Sequence, residues 1–182
     1  MSKKTLYRVL LPVVVLGLTL TAVAVATGAT ASKTPKKATI RAEGKEQFKV
    51  NKFFKQSFHF HEHKTAIKSG GTITVVDKIG QDHTFSLLKK SDLPRTLKAA
   101  NSCYDDGKPC ITILNAHGGD GGPPTNPLVN VGAAGFDQPG DSVVVPAKSK
   151  NTKVQITAKA GAKLYFLCAI HPQMQGEIDV KK

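Results

Sequence analysis

The 182 residues, 40% hydrophobic and without tryptophan, suffice for one compact core once an N-terminal leader is set aside. The formal charge of +13 is uneven: residues 32–64 hold nine Lys/Arg against three Glu, whereas residues 65–182 hold 14 against 10. With no basic patch interleaved with aromatics, no carboxylates paired for acid–base work and no Gly loop beside a Lys to cradle phosphate, the composition excludes nucleic acid as a partner and the common hydrolase and nucleotide-binding classes.

In chain order, residues 1–31 come first. Lys3, Lys4 and Arg8 precede an apolar run from Val9 to Ala26, and Ala29-Thr30-Ala31 offers small residues at a cleavage point. The run is long for a leader, so a cleaved signal peptide and a retained N-terminal anchor both fit. Either places the domain outside the cytoplasm, in a periplasm, in the medium or on a membrane. Residues 32–47, rich in Lys, Ala and Thr, read as a basic flexible linker suited to an anionic membrane or wall, or to an acidic redox partner. The folded domain is then expected over 48–182.

Strand signals fill that domain. Phe58-His59-Phe60-His61 alternates with period two, and Thr72–Val76 is β-branched throughout. Thr84–Leu87, Ser142–Val145, Val154–Thr157, Leu164–Leu167 and Glu177–Val180 continue the series, with Gly70-Gly71, Gly80, Pro139-Gly140 and Gly161 as turns. The pattern predicts an all-β fold, an antiparallel sandwich. Residues 91–140 interrupt it with a short helix near Leu93–Ala100, the pair Cys103/Cys110, and a Gly/Pro-rich loop from Gly118 to Pro127. His59, His61 and His63 fall on one strand face, either as a polar exterior opposite Phe58 and Phe60 or as ligands of a second Cu or Zn ion.

Cysteine usage separates one thiol from the other two. Cys103 and Cys110 flank Tyr-Asp-Asp-Gly-Lys-Pro, which closes readily into a disulfide loop and leaves Cys168 over. Cys168, His171 and Met174 stand at i, i+3 and i+6 in a short loop between two strands. Thiolate and imidazole bond copper in both oxidation states, and a thioether adds a weak, long axial contact. A donor set that satisfies Cu(II) and Cu(I) about equally needs little rearrangement when an electron moves. A trigonal site wants a second imidazole, from His83 at a strand end or from His117 in a Gly-flanked loop. The rigid strand end favours His83.

The run Gly71-Thr-Ile-Thr-Val-Val-Asp77, a turn, His83-Thr-Phe, and far downstream Tyr165-Phe-Leu-Cys168-Ala-Ile-His171-Pro-Gln-Met174 resembles the plastocyanin/azurin group of blue copper proteins. The Cys-x2-His-x2-Met loop is similar to that of amicyanin. The resemblance covers roughly 48–182 and implies a Greek-key, cupredoxin-like sandwich with a disulfide-bearing insertion. It also implies one type 1 copper near one end, held by His83, Cys168, His171 and Met174, and the edge of His171 reaching the surface through an apolar patch. Thr84 stands where that group commonly has Asn, and the spacing from His83 to Cys168 is longer than usual. The implied function is a monomeric, non-enzymatic carrier of single electrons between redox proteins, with copper delivery or storage as the alternative. Axial Met174 argues against an enzyme, which would need an open coordination position.

Overall fold

The computed structural model describes residues 33–118 and 124–182, so the leader or anchor expected over 1–31 lies outside the described residues, as does the tip of the Gly/Pro loop. The first half contributes β1 (Lys37–Glu43), β2 (Glu46–Lys49), β3 (Phe53–Gln56), β4 (His59–Phe60), β5 (Lys64–Lys68), β6 (Thr72–Asp77) and β7 (His83–Leu88). After two helices, α1 (Leu97–Ser102) and α2 (Pro109–Ala116), come β8 (Leu128–Val129), β9 (Ser142–Val145), β10 (Thr152–Gln155), β11 (Lys163–Leu167) and β12 (Gln175–Lys181).

One sheet runs β10-β6-β1-β4 and the other β5-β12-β11-β7-β9-β8, while β2 and β3 form a separate hairpin. The chain crosses between the sheets at β4–β5, β5–β6, β6–β7, β9–β10 and β10–β11, giving a Greek-key β-sandwich. Two pairs depart from the antiparallel expectation: β1 runs parallel to β6, and β5 parallel to β12.

Alternation along the strands builds the core. Ile73 and Val75 of β6 and Ile40 and Ala42 of β1 point inward from one sheet, meeting Phe85 and Leu87 of β7, Phe166 of β11, and Ile178 and Val180 of β12 from the other. The rings of Phe85 and Phe166 stand 4.5 Å apart and tilted, with Phe60 5.3 Å from Phe166. Burying such a ring contributes about 2–3 kcal/mol, and truncating one to Ala costs roughly 3–5 kcal/mol.

Of the flexible linker expected over 32–47, the described residues 33–47 contain a full strand. β1 pairs with β6 over six residues, from Lys37↔Thr72 to Ala42↔Asp77, and Ile40 and Ala42 are fully buried. The pattern is period two after all: Ala38, Ile40 and Ala42 alternate with Lys37, Thr39, Arg41 and Glu43. Alanine at two of the three inward positions mutes the apolar signal. The domain therefore begins near Lys37 rather than at Phe48.

Every residue of β7 is buried, because the insertion covers its outer face. Leu88, Leu167 and Ala169 pack with Leu93, Ile113 and the bridged Cys103–Cys110 pair in a second apolar cluster. The sandwich thus carries a third, partial layer. Of its helices, α1 begins four residues later than expected, where the Thr96 hydroxyl accepts the Ala99 N–H. The composition did not predict α2, which starts with Pro109 at its first position, where proline's missing N–H costs nothing.

Candidate metal centre

The loop from Cys168 to Met174 is closed by its own backbone. Cys168 N–H donates to the Met174 carbonyl (3.0 Å), His171 N–H to that of Cys168 (3.2 Å), and Met174 N–H to that of His171 (2.8 Å). β11 and β12 pair at Leu167↔Gln175 directly beneath, so both loop ends are fixed. Gly176 is required there: a Cβ would overlap the Phe166 ring and sit 2.6 Å from the His63 carbonyl. From the insertion, the Tyr104 hydroxyl donates to the Ile170 carbonyl (2.8 Å), and Gln175 Nε2 donates to the Pro94 carbonyl (2.8 Å).

His83 opens β7 between β9 and β11 and faces this loop. Its Nδ1 lies 3.2 Å from His171 Nδ1, and each Nδ1 lies 3.7 Å from Cys168 Sγ. His83 and Cys168 are fully buried, and His171 keeps 8% of its surface. Nitrogens about 2.0 Å and a sulfur about 2.3 Å from one ion, at roughly trigonal angles, would stand about 3.2–3.5 Å (N to N) and about 3.7 Å (N to S) apart. The donor set and its spacing therefore fit a single soft-to-borderline metal ion. Met174, fully buried, packs in the same apolar cluster as Cys168.

Electrostatics keep the rings in ligand form. Burial depresses the pKa of His83 against the opposing pull of Asp77, and burial together with nearby His83 takes His171 down to about 4. Both imidazoles are therefore neutral at pH 7, with lone pairs free for a cation. The Asp77 carboxylate, with Oδ1 3.3 Å from His83 Nε2, favours the proton on Nε2 and so a bare Nδ1 toward the cluster, although the contact is not aligned as a hydrogen bond. Burial alone would raise Asp77, but backbone N–H groups of Lys148, Ile79 and Gly80 outweigh it and keep the carboxylate charged. Burial pushes the Cys168 thiol up, opposed by the Thr84 N–H that donates to its sulfur at 3.3 Å. A metal ion bound here would displace that thiol proton.

His117, the rival imidazole, sits elsewhere. Its Nδ1 donates to the Asn126 carbonyl (2.6 Å), and its Nε2 meets Ser142 Oγ (2.7 Å). Ser142 Oγ lies 2.7 Å from Ser86 Oγ, Ser86 Oγ lies 2.8 Å from Thr84 Oγ1, and Thr84 Oγ1 accepts the N–H of Ala169 at 2.7 Å. His117 is thus the far end of a buried hydroxyl chain that braces the ligand loop. Thr84 takes the bracing part through its hydroxyl. His59 and His61 are exposed while Phe58 and Phe60 are buried, as the alternation predicted. Phe58 abuts the site, its ring edge-on to His171 at 5.1 Å. Sequence reasoning missed Phe58, Tyr104 and the anchoring part of Asp77; for Asp77, the Asp-x-x-Gly turn before His83 was the available signal.

No family model and no curated protein matches the chain. Among solved structures it is similar to a dithionite-reduced auracyanin from Roseiflexus castenholzii (16% identity, 82% of this chain and 100% of that one, TM-score 0.43). It is also similar to auracyanin A, a "blue" copper protein from Chloroflexus aurantiacus (20%, 81% and 99%, 0.43), and to a purple cupredoxin from Nitrosopumilus maritimus (12%, 79% and 99%, 0.41). Likenesses this distant carry no functional argument, which rests instead on the side chains described above.

Proposed function

We propose that this chain is an exported type 1 copper protein that carries single electrons, with His83, Cys168 and His171 as the strong ligands and Met174 as the axial one. The observation that carries the reading is the convergence of two imidazole Nδ1 atoms, 3.2 Å apart, on one buried thiol 3.7 Å from each, between the start of β7 and the loop that follows its neighbour β11. Copper bound there would supply one-electron chemistry. The protein's part is to hold the donors still: the loop is closed on itself, His83 is anchored by Asp77, and Cys168 Sγ keeps a hydrogen bond that favours thiolate. Fixed donors lower the rearrangement needed when the charge changes, which favours electron transfer over copper delivery.

His171 alone of the four keeps accessible surface, so electrons enter and leave along its edge. Beside the adjoining Pro172 runs a groove in which Phe54, Leu97 and Ala100 alternate with Gln56, Arg95, Gln173 and Gln175. The β2–β3 hairpin on its flank carries Lys45, Lys49, Lys52 and Lys55 around exposed Phe48, Phe53 and Phe54. A mixed apolar and polar groove with a cationic rim suits an acidic redox protein.

Copper(II) added to the protein is expected to give an intense blue band from thiolate-to-copper charge transfer, and Cys168→Ser to stay colourless. A wild-type protein that binds copper without colour refutes the assignment. His83→Ala should abolish the band while His117→Ala retains it. Met174→Leu should keep colour but raise the reduction potential, since a weak donor to Cu(II) is lost; an unchanged potential refutes the axial assignment.

A further inference from the structure

A second group of donors lies on the edge of the first sheet, on the solvent side of the strand whose other face builds the core. β1 and β4 pair antiparallel with Glu43 directly opposite His59, so these two side chains share a face. His61 lies two residues beyond His59, and its N–H donates to the Arg41 carbonyl (2.8 Å), which keeps the alternation going past the end of β4. One ligand atom from each of Glu43, His59 and His61 lies within 4.8 Å of the others.

We propose that Glu43, His59 and His61 form a second metal site, open to solvent and suited to a divalent transition-metal ion, Cu2+ ahead of Zn2+. Groups outside the trio orient each donor. His59 Nδ1 lies 3.0 Å from the Ser57 carbonyl; a carbonyl only accepts, so Nδ1 carries the hydrogen and Nε2 is left with its lone pair. The Arg41 guanidinium holds Glu43 Oε1 at 2.8 Å and is itself tied to Glu62, leaving Glu43 Oε2 free. That oxygen faces His61 Nδ1 at 3.4 Å. The gap is longer than a good hydrogen bond and matches two donors about 2.1 Å from a shared ion.

Carbonyl and guanidinium partners that fix ligand tautomer and rotamer are the usual outer support of metal-binding histidines and carboxylates. Two imidazoles and one carboxylate, with room for water on the exposed side, rank Cu2+ above Zn2+. Without a thiolate the ion is only faintly coloured, and the harder N/O donors favour Cu(II) over Cu(I). His63 does not belong: it is not one of the residues whose ligand atoms all lie within 4.8 Å of one another.

The test titrates Cu2+ into the full chain already loaded with one equivalent, followed by electron paramagnetic resonance and metal analysis. A second equivalent is expected, with an axial, nitrogen-coupled, non-blue signal that excess Zn2+ displaces while the blue band stays. The double variant H59A/H61A should lose at least tenfold in affinity for it and keep the blue band; H63A should behave as wild type. Absence of a second equivalent overturns the proposal, as does one that survives in H59A/H61A or falls equally in H63A. If no blue band forms at all, a non-blue ion lost in H59A/H61A upholds this site and sinks the buried one, so the two readings fail separately.

Discussion

Thr84→Val tests whether the hydroxyl chain braces the ligand loop. The replacement is close in volume, so it leaves little cavity, and the backbone N–H that reaches Cys168 Sγ is untouched. What changes is the partner of Ala169 N–H, whose bond to Thr84 Oγ1 is 2.7 Å long and buried. Leaving a buried donor unpaired costs about 1–3 kcal/mol. Ser86 keeps its second partner, Ser142, at 2.7 Å, so it adds little to the loss. For a domain of this size 1 kcal/mol moves Tm by about 2–4 °C, so a loss near 2 kcal/mol predicts a drop of about 4–8 °C. Thermal unfolding should be followed on the copper-free protein, because an ion bound only to the native state would mask the change. Thr84→Ser, which restores the acceptor, should recover most of the loss. A Val variant that melts with wild type, or a Ser variant that falls as far as Val, would refute the bracing argument.

Acid should destabilise the copper-free protein through His171. The unfolded ring takes a proton near pH 6.5 while the folded one waits until about 4, so stability is full above pH 6.5 and falls by about 3 kcal/mol as pH drops to 4; denaturant midpoints at several pH values check this, and a flat profile contradicts it. Replacing Cys103 and Cys110 by Ser opens a loop with a sequence separation of 7 and should cost about 2–3 kcal/mol. Amide exchange should then rise first over α1 and α2, and uniform protection would argue against a separable third layer. Replacing Lys49, Lys52 and Lys55 with Gln should slow electron exchange with anionic hexacyanoferrate severalfold at low salt and not with a cationic cobalt reagent, read by stopped-flow. Equal effects on both reagents would remove the hairpin from the docking surface.

The β-branched strands were legible because their inward positions are large: Ile73 and Val75 declare β6, Val143 and Val145 declare β9. β1 was not, because two of its three inward residues are alanines, and the β2–β3 hairpin was not, because its aromatics do not face the core. The closeness of Cys168 and His171 could be read directly since they are sequence neighbours in one short loop. His83 could be preferred over His117 because a strand end fixes a side chain and a glycine-flanked loop does not. The groups that steady the donors were hidden for a different reason. Ser142 meets Ser86 across 56 residues and Lys148 N–H meets Asp77 across 71, pairings that exist only once strand register is set.

The separation of 85 residues between His83 and Cys168 has a bearing on biosynthesis. β7 (His83–Leu88) is made early, whereas its neighbour β11 (Lys163–Leu167), the loop beyond it and β12 (Gln175–Lys181), which clamps that loop, follow far downstream. A nascent chain therefore holds no assembled thiol–imidazole pocket until β11 and β12 have been made. Premature metal capture by a half-made chain is avoided by chain order alone, and a product truncated before Gln175 would carry the cysteine without the walls that protect it.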